Sequence, residues 1–160
     1  MADSLPHWDM SVVYPSLGSP EFEAAFDDAI VQIDRLVALF EEERIGAGAS
    51  AAIDAGTVAV FEKVVAQLNT TFKRESGVAA YIHGFIATDS KNELAQSKSS
   101  ELSQHWVKVQ MLDARLTAWF GSLDPDALAE RSQVATDHAF VLRRAKIEAE
   151  RLMSPAEEAL

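Results

Sequence analysis

Phe22, Phe26, Ile30, Ile33, Val37 and Phe40 recur at steps of four, four, three, four and three. A period near 3.6 residues puts all six side chains on one stripe of a helix, and an α-helix is the only regular element that lines them up. The stripe lies in a helix predicted from Pro20 to about Arg44. Ser19-Pro20-Glu21 starts it, with a capping hydroxyl, a proline at the first helical position and an acid in the first turn. Asp27, Asp28, Asp34 and Glu41 fall off the stripe, and Glu41 to Glu43 read as a solvated helix end.

The same period returns downstream. Val58, Phe61, Val65, Leu68 and Phe72 mark a second helix over about 51–73. Gly77 is taken as a break before a short third helix, Val78 to about Thr88, whose Tyr81, Ile82, Phe85 and Ile86 cover more than one face. Leu94, Leu102, Trp106, Val109, Leu112, Leu116, Trp119 and Leu123 track one side of a long fourth helix, Lys91 to Phe120, capped by Asp89 or Ser90 and ended by Gly121. Its Gln96–Ser100 stretch is polar and is expected to project beyond the core. Asp124-Pro125 starts a short helix through Arg131. A sixth, about Gln133 to Met153, carries Val134, Phe140 or Val141, Ala145, Ile147 and Leu152 inward, with Arg144–Glu148 and Lys146–Glu150 pairs outside. Seven glycines and five prolines in 160 residues suit long helices better than a turn-rich β fold. The expectation is an all-α antiparallel bundle of about six helices with no β-sheet, over residues 19–153, behind an extended lead-in over residues 1–18.

Composition excludes several functions. A net charge of −11 argues against nucleic acid and against anionic membrane surfaces as partners. With no cysteine there is no disulfide framework and no thiolate metal site. No signal pattern opens the chain and no apolar run is long enough to span a bilayer, so the reading is a cytoplasmic protein. Histidines 7, 83, 105 and 138 are scattered, and none begins His-Glu-x-x-His. Glu101 and His105, four apart, read as a solvent-facing hydrogen-bonded pair rather than as metal ligands, because the paired Glu-x-x-His repeats of di-iron bundles are missing. His83 on a packed helix reads as structural. Arg143, Arg144, Lys146 and Arg151 form a basic cluster read as a solvated face. No catalytic or metal residue is assigned, and no cofactor is expected in this chain.

Motifs in the lead-in go further. Trp8 is a large ring in a polar stretch and should be docked. Tyr14-Pro15 forces an extended link, since proline moves its predecessor out of the α region. Leu5-Pro-His-Trp-Asp-Met-Ser11, then Tyr14-Pro-Ser-Leu and Ser19-Pro-Glu-Phe22, resembles the amino-terminal opening of the oligoendopeptidase F family, zinc metallopeptidases related to thimet oligopeptidase. His7, Met10 and Val12-Val13 depart from the usual pattern. Tyr81 through Thr88-Asp89 is similar to a Tyr-started family helix ending in Ser/Thr-Asp, and Leu152-Met-Ser-Pro-Ala-Glu157 to a third family segment. The residues carrying the resemblance are Trp8, Asp9, Tyr14, Pro15, Ser19, Pro20, Tyr81 and Asp89. It implies a non-catalytic helical region walling a channel for short peptides, with zinc and the His-Glu-x-x-His helix in a catalytic domain of the same polypeptide. Ser154-Pro155-Ala156-Glu157 is a capping box announcing a further helix, so residues 154–160 read as its start and the chain as a fragment of a longer protein. Apolar surface exposed without that domain is expected to drive self-association of the fragment. The other reading is a freestanding acidic bundle that binds a protein partner.

Overall fold

The computed structural model describes residues 9–46, 52–149 and 151. Trp8, Glu150, Leu152, the capping box at Ser154 and most of the glycine-containing connection after the first helix therefore lie outside the described residues. Within them are seven helical segments and no strand: α1 Pro20–Glu42, α2 Ala55–Thr88, α3 Glu93–Gln110, α4 Asp113–Ser122, α5 Pro125–Ala129, α6 Gln133–Asp137 and α7 Ala139–Ala149. The all-α bundle is as expected, but several boundaries move.

α1 follows its sequence signals. The Ser19 hydroxyl accepts from the Phe22 amide at 3.3 Å, and Phe22, Phe26, Ile33 and Phe40 are fully buried. Ile30 and Val37 are only half-buried, because Ala29, Leu36 and Leu39 widen the buried face. The helix closes on a backward turn in which the Ile45 amide reaches the Phe40 carbonyl at 2.9 Å and the Arg44 amide the Glu41 carbonyl at 3.2 Å. Arg44 takes the left-handed conformation (φ 52°) that this closure requires. No basic residue stands in the last turn of α1. Arg115 of α4 supplies the charge from outside, donating to the Ile45 carbonyl at 2.9 Å and the Phe40 carbonyl at 3.3 Å and pairing with Glu41.

The expected break at Gly77 is absent: the second and third helices are one 34-residue α2. A helical glycine costs roughly 1 kcal/mol relative to alanine, too little to stop a helix whose two halves are both buried. The helix also starts later than expected, at Ala55, where the Asp54 carboxylate accepts from the Thr57 amide at 2.8 Å.

The expected fourth helix is divided at Met111–Leu112 into α3 and α4. Neither glycine nor proline marks the point. Its cause is what each side packs on: Val109 and Leu112 share a cluster with α1, whereas Phe120 and Leu123 belong with α7. Asn92, and not Asp89 or Ser90, caps α3, accepting from the Ala95 amide at 3.0 Å. Leu94 is exposed and Ala95 takes the buried position. The polar Gln96–Ser100 stretch is not a projection either. Lys98 lies over the Phe26 ring at 4.3 Å and pairs with Glu23 at 2.7 Å.

Gly121 sits inside α4 instead of ending it. A Cβ there would collide with the Ala149 side chain of α7, so glycine is what lets these helices approach. The expected sixth helix is α6 and α7, divided at His138, with Ala135, Leu142 and Ala145 buried. Phe140, Val141 and Ile147, expected inward, are exposed. Arg144 pairs with Glu148 as expected, and Arg143 with Asp126, both at 2.7 Å.

Three clusters make up the core. One joins Leu17, Phe22 and Phe26 to Tyr81, Ile82 and Leu102. The second joins Ile33, Leu36 and Phe40 to Val64 and Val109. The third joins Phe61 and Val65 to Phe120, Leu128 and Leu142. Between α1 and α2 a polar clasp interrupts the apolar seam: Gln67 and Thr71 donate to the Gln32 carbonyl at 3.2 and 3.1 Å. Several of the acids off the α1 stripe bridge helices, as Asp28–Arg74, Asp34–Lys108 and, just past the helix, Glu43–Lys63, while Asp27 faces solvent.

Two of the helical glycines, Gly77 and Gly121, should respond oppositely to alanine. Gly77→Ala meets nothing within 4 Å and should raise unfolding stability by about 0.5–1 kcal/mol, whereas Gly121→Ala should lower it by about 1–3 kcal/mol, both read by urea denaturation. A second expectation concerns acid. Hydrogen bonds from the Thr57 backbone and side chain hold the Asp54 carboxyl below the usual range, and the Ala127 and Asp126 amides do the same for Asp124. A lowered folded pKa contributes stability that is full above the unfolded value and is lost as pH falls through the folded one. The Asp54→Asn, Asp124→Asn double variant, which keeps capping acceptors but cannot titrate, should lose less stability than wild type on acidification.

Candidate functional site

The lead-in is bent onto α2. A turn, closed by the Val13 amide on the Met10 carbonyl at 3.0 Å, brings the chain to Tyr14. Beyond Tyr14 the chain is not the extended link expected: it bends at Pro15 and makes a second turn at Leu17-Gly18, closed by the Ser19 amide on the Ser16 carbonyl at 3.1 Å, before the cap at Ser19. Asp9 accepts from the Ser11 amide at 2.9 Å, and hydrogen bonds from the Ser11 side chain and backbone hold its carboxyl below the usual range.

Tyr14 and Tyr81, 67 residues apart, meet directly. The Tyr81 hydroxyl donates to the Tyr14 carbonyl at 2.8 Å. Their rings make an edge contact with centroids 4.9 Å apart, and Phe22 completes a triangle at 5.6 Å from Tyr14 and 5.3 Å from Tyr81. Phe85 extends the cluster, 5.1 Å from Tyr81. Burial, with Tyr14 beside it, pushes the Tyr81 phenol above its usual pKa, so the ring stays neutral and its hydroxyl stays a donor.

Asp9, Pro15, Tyr81, Gly84 and Phe85 line a groove of about 490 Å³ along this junction. Gly84 is part of the fit: a Cβ there would stand 2.9 Å from the Met10 methyl carbon, so the lead-in rests on bare backbone. The spacing of Met10 and Gly84 gives no sequence signal for this contact.

Of the motif residues, Asp9, Tyr14, Pro15 and Tyr81 come together here, and Ser19 and Pro20 stand at the start of the helix that carries Phe22. Asp89 does not join them. It lies eight residues beyond Tyr81, about 12 Å along the helix, where its amide closes α2 on the Phe85 carbonyl and its carboxylate accepts from the Lys91 amide at 3.0 Å. Trp8 lies outside the described residues.

The other candidates separate as well. Glu101 and His105 do not pair: Glu101 stands 3.9 Å from Lys98, and His105 Nδ1 lies 3.5 Å from Lys108 Nζ. His83 is exposed rather than packed, on a second groove, between α2 and α3. That groove, with Glu75 and Trp106 in its lining, escaped sequence reasoning because its residues come from two helices with no shared motif. Among the described residues no three His, Asp or Glu side chains cluster closely enough to hold a metal ion. Zinc, which the resemblance implies for a larger enzyme, finds no donor set among the described residues. No described helix is long and apolar enough to cross a membrane.

Compared in turn with protein-family models, curated proteins and solved structures, the chain gives no match.

Tyr81→Phe, which removes only the hydroxyl, should cost about 1 kcal/mol, and Tyr81→Ala about 3–5 kcal/mol. Urea unfolding followed by far-UV dichroism reads both. Equal losses for the two variants would show that the hydroxyl, and not the ring packing, holds the junction.

Proposed function

We propose that this chain is a non-catalytic helical amino-terminal domain of a zinc-dependent oligoendopeptidase, a cytoplasmic enzyme acting on short peptides, in which it forms part of the wall of the substrate channel. The observation that carries the reading is the bond from the Tyr81 hydroxyl to the Tyr14 carbonyl. The resemblance rests on three segments, and two of them, the opening that contains Tyr14-Pro15 and the helix that starts at Tyr81, meet through this bond. A shared motif pair has a physical reason to occur together when its members touch. Its contribution would be shape: helices that admit an extended peptide and exclude folded protein, with zinc and the water-activating glutamate on another domain of the same polypeptide.

A second reading has its own observation. Phe140, Val141 and Ile147 of α7 are 77%, 53% and 55% exposed, more apolar surface than a short amphipathic helix usually leaves to water. A freestanding acidic bundle that binds a protein partner would use such a face.

Two experiments separate the readings. The isolated chain should cleave no fluorogenic peptide with or without zinc, and zinc-dependent turnover by it would sink the domain reading. An antibody against this chain should detect, in extract of the source cells, a band several times larger than 17.5 kDa. A single band at 17.5 kDa would favour the freestanding module.

A further inference from the structure

We propose that the groove between α2 and α3 is a binding site for an aliphatic cation, an alkylammonium group of the kind a lysine side chain carries. The groove has a volume of about 270 Å³, enough for a four-carbon stem and its head group. Ile82, Ile86, Leu102 and Trp106 give it apolar walls. Its lining includes one carboxylate, Glu75, with His83 as its one basic side chain and neither lysine nor arginine.

Glu75 is free to act. None of the ion pairs among the described residues involves it. The neighbouring Arg74 is engaged elsewhere, 3.0 Å from Asp28. Burial alone pushes the Glu75 carboxyl above its usual pKa, the state of an acid that has lost water without gaining a cation. A bound ammonium would restore the missing counter-charge. Trp106 lines the same groove and is held by an edge contact with Phe72, centroids 5.2 Å apart. An indole and a half-buried carboxylate in one groove are the pairing that retains an alkylammonium, through ring attraction for the cation and apolar contact for the stem. Ser99 and Ser103 add hydroxyls on the α3 side. The net charge of −11 draws cations toward the whole molecule. This inference stands on the groove and does not depend on the peptidase reading.

The test uses the full chain and the indole N–H resonances of its three tryptophans; the Trp106 signal is identified by its loss in Trp106→Phe. Acetyl-Gly-Lys-Gly-amide should shift that signal saturably at millimolar concentration. The same peptide with an acetylated lysine should not, and Glu75→Gln should weaken binding roughly tenfold or more. Butylamine binding as tightly as the peptide would assign the site to the cation alone, and weaker binding to the cation with its peptide; both uphold it. Absence of a saturable shift with either ligand, equal binding of the acetylated peptide, or equal binding by Glu75→Gln would overturn it. If Glu75→Gln fails to fold, Ser103→Lys places a tethered ammonium in the groove and should abolish binding; unchanged binding by that variant would overturn the proposal too.

Discussion

One uninterrupted helix ties the molecule together. α2 is about 50 Å long at 1.5 Å per residue, and its side chains enter all three core clusters: Phe61 and Val65 one of them and Val64, beside them, a second, with Val78, Tyr81 and Ile82 in the third toward the other end. Everything else is placed relative to it. α1 lies along it through the stripe and the Gln32–Gln67–Thr71 clasp, α3 covers the Tyr81 half, and α4 with α7 closes the Phe61 half. A break at Gly77 would uncouple the lead-in junction from the rest of the bundle. The polar clasp also sets register. A buried glutamine carbonyl with two donors aimed at it has one alignment that satisfies it, whereas an apolar seam tolerates sliding by a turn.

The same dependence gives the candidate sites their rigidity. Tyr14 and Pro15 belong to a segment without regular secondary structure, yet they are held because Tyr81 projects from the buried C-terminal part of α2. The α2–α3 groove likewise takes one wall from α2 and the other from α3, whose position is set by Lys98 on Phe26 and Lys108 on Asp34. Neither site stands on a free loop.

Charge is distributed in a way that a net value of −11 conceals. Several acids of α1 face a base on another helix: Glu23 with Lys98, Asp28 with Arg74, Asp34 with Lys108, Glu41 with Arg115 and Glu43 with Lys63. Exposed pairs of this kind each contribute little to stability. Their value is in orientation, because each joins α1 to a partner at a defined height. Glu75 differs in lining a groove while taking part in none of the ion pairs among the described residues.

The sequence by itself determined the helical class, the start of α1 and its buried stripe, because a 3.6-residue period and a Ser-Pro cap act within a few residues of chain. It singled out Tyr14 and Tyr81 only through a resemblance to one family, with nothing in their spacing to say that they touch. What only the tertiary structure decided was where helices continue or stop and which side chains meet. Gly77 is passed because both halves of α2 are buried, while Met111–Leu112 breaks because α3 and α4 pack on different partners. Gly121 serves a close helix approach rather than a helix end. Phe140, Val141 and Ile147 point outward because Leu142 and Ala145 won the buried face of α7. Glu75 and Trp106 share a groove through the pairing of two helices. These outcomes depend on contacts between residues tens of positions apart, and local propensity carries no information about such partners.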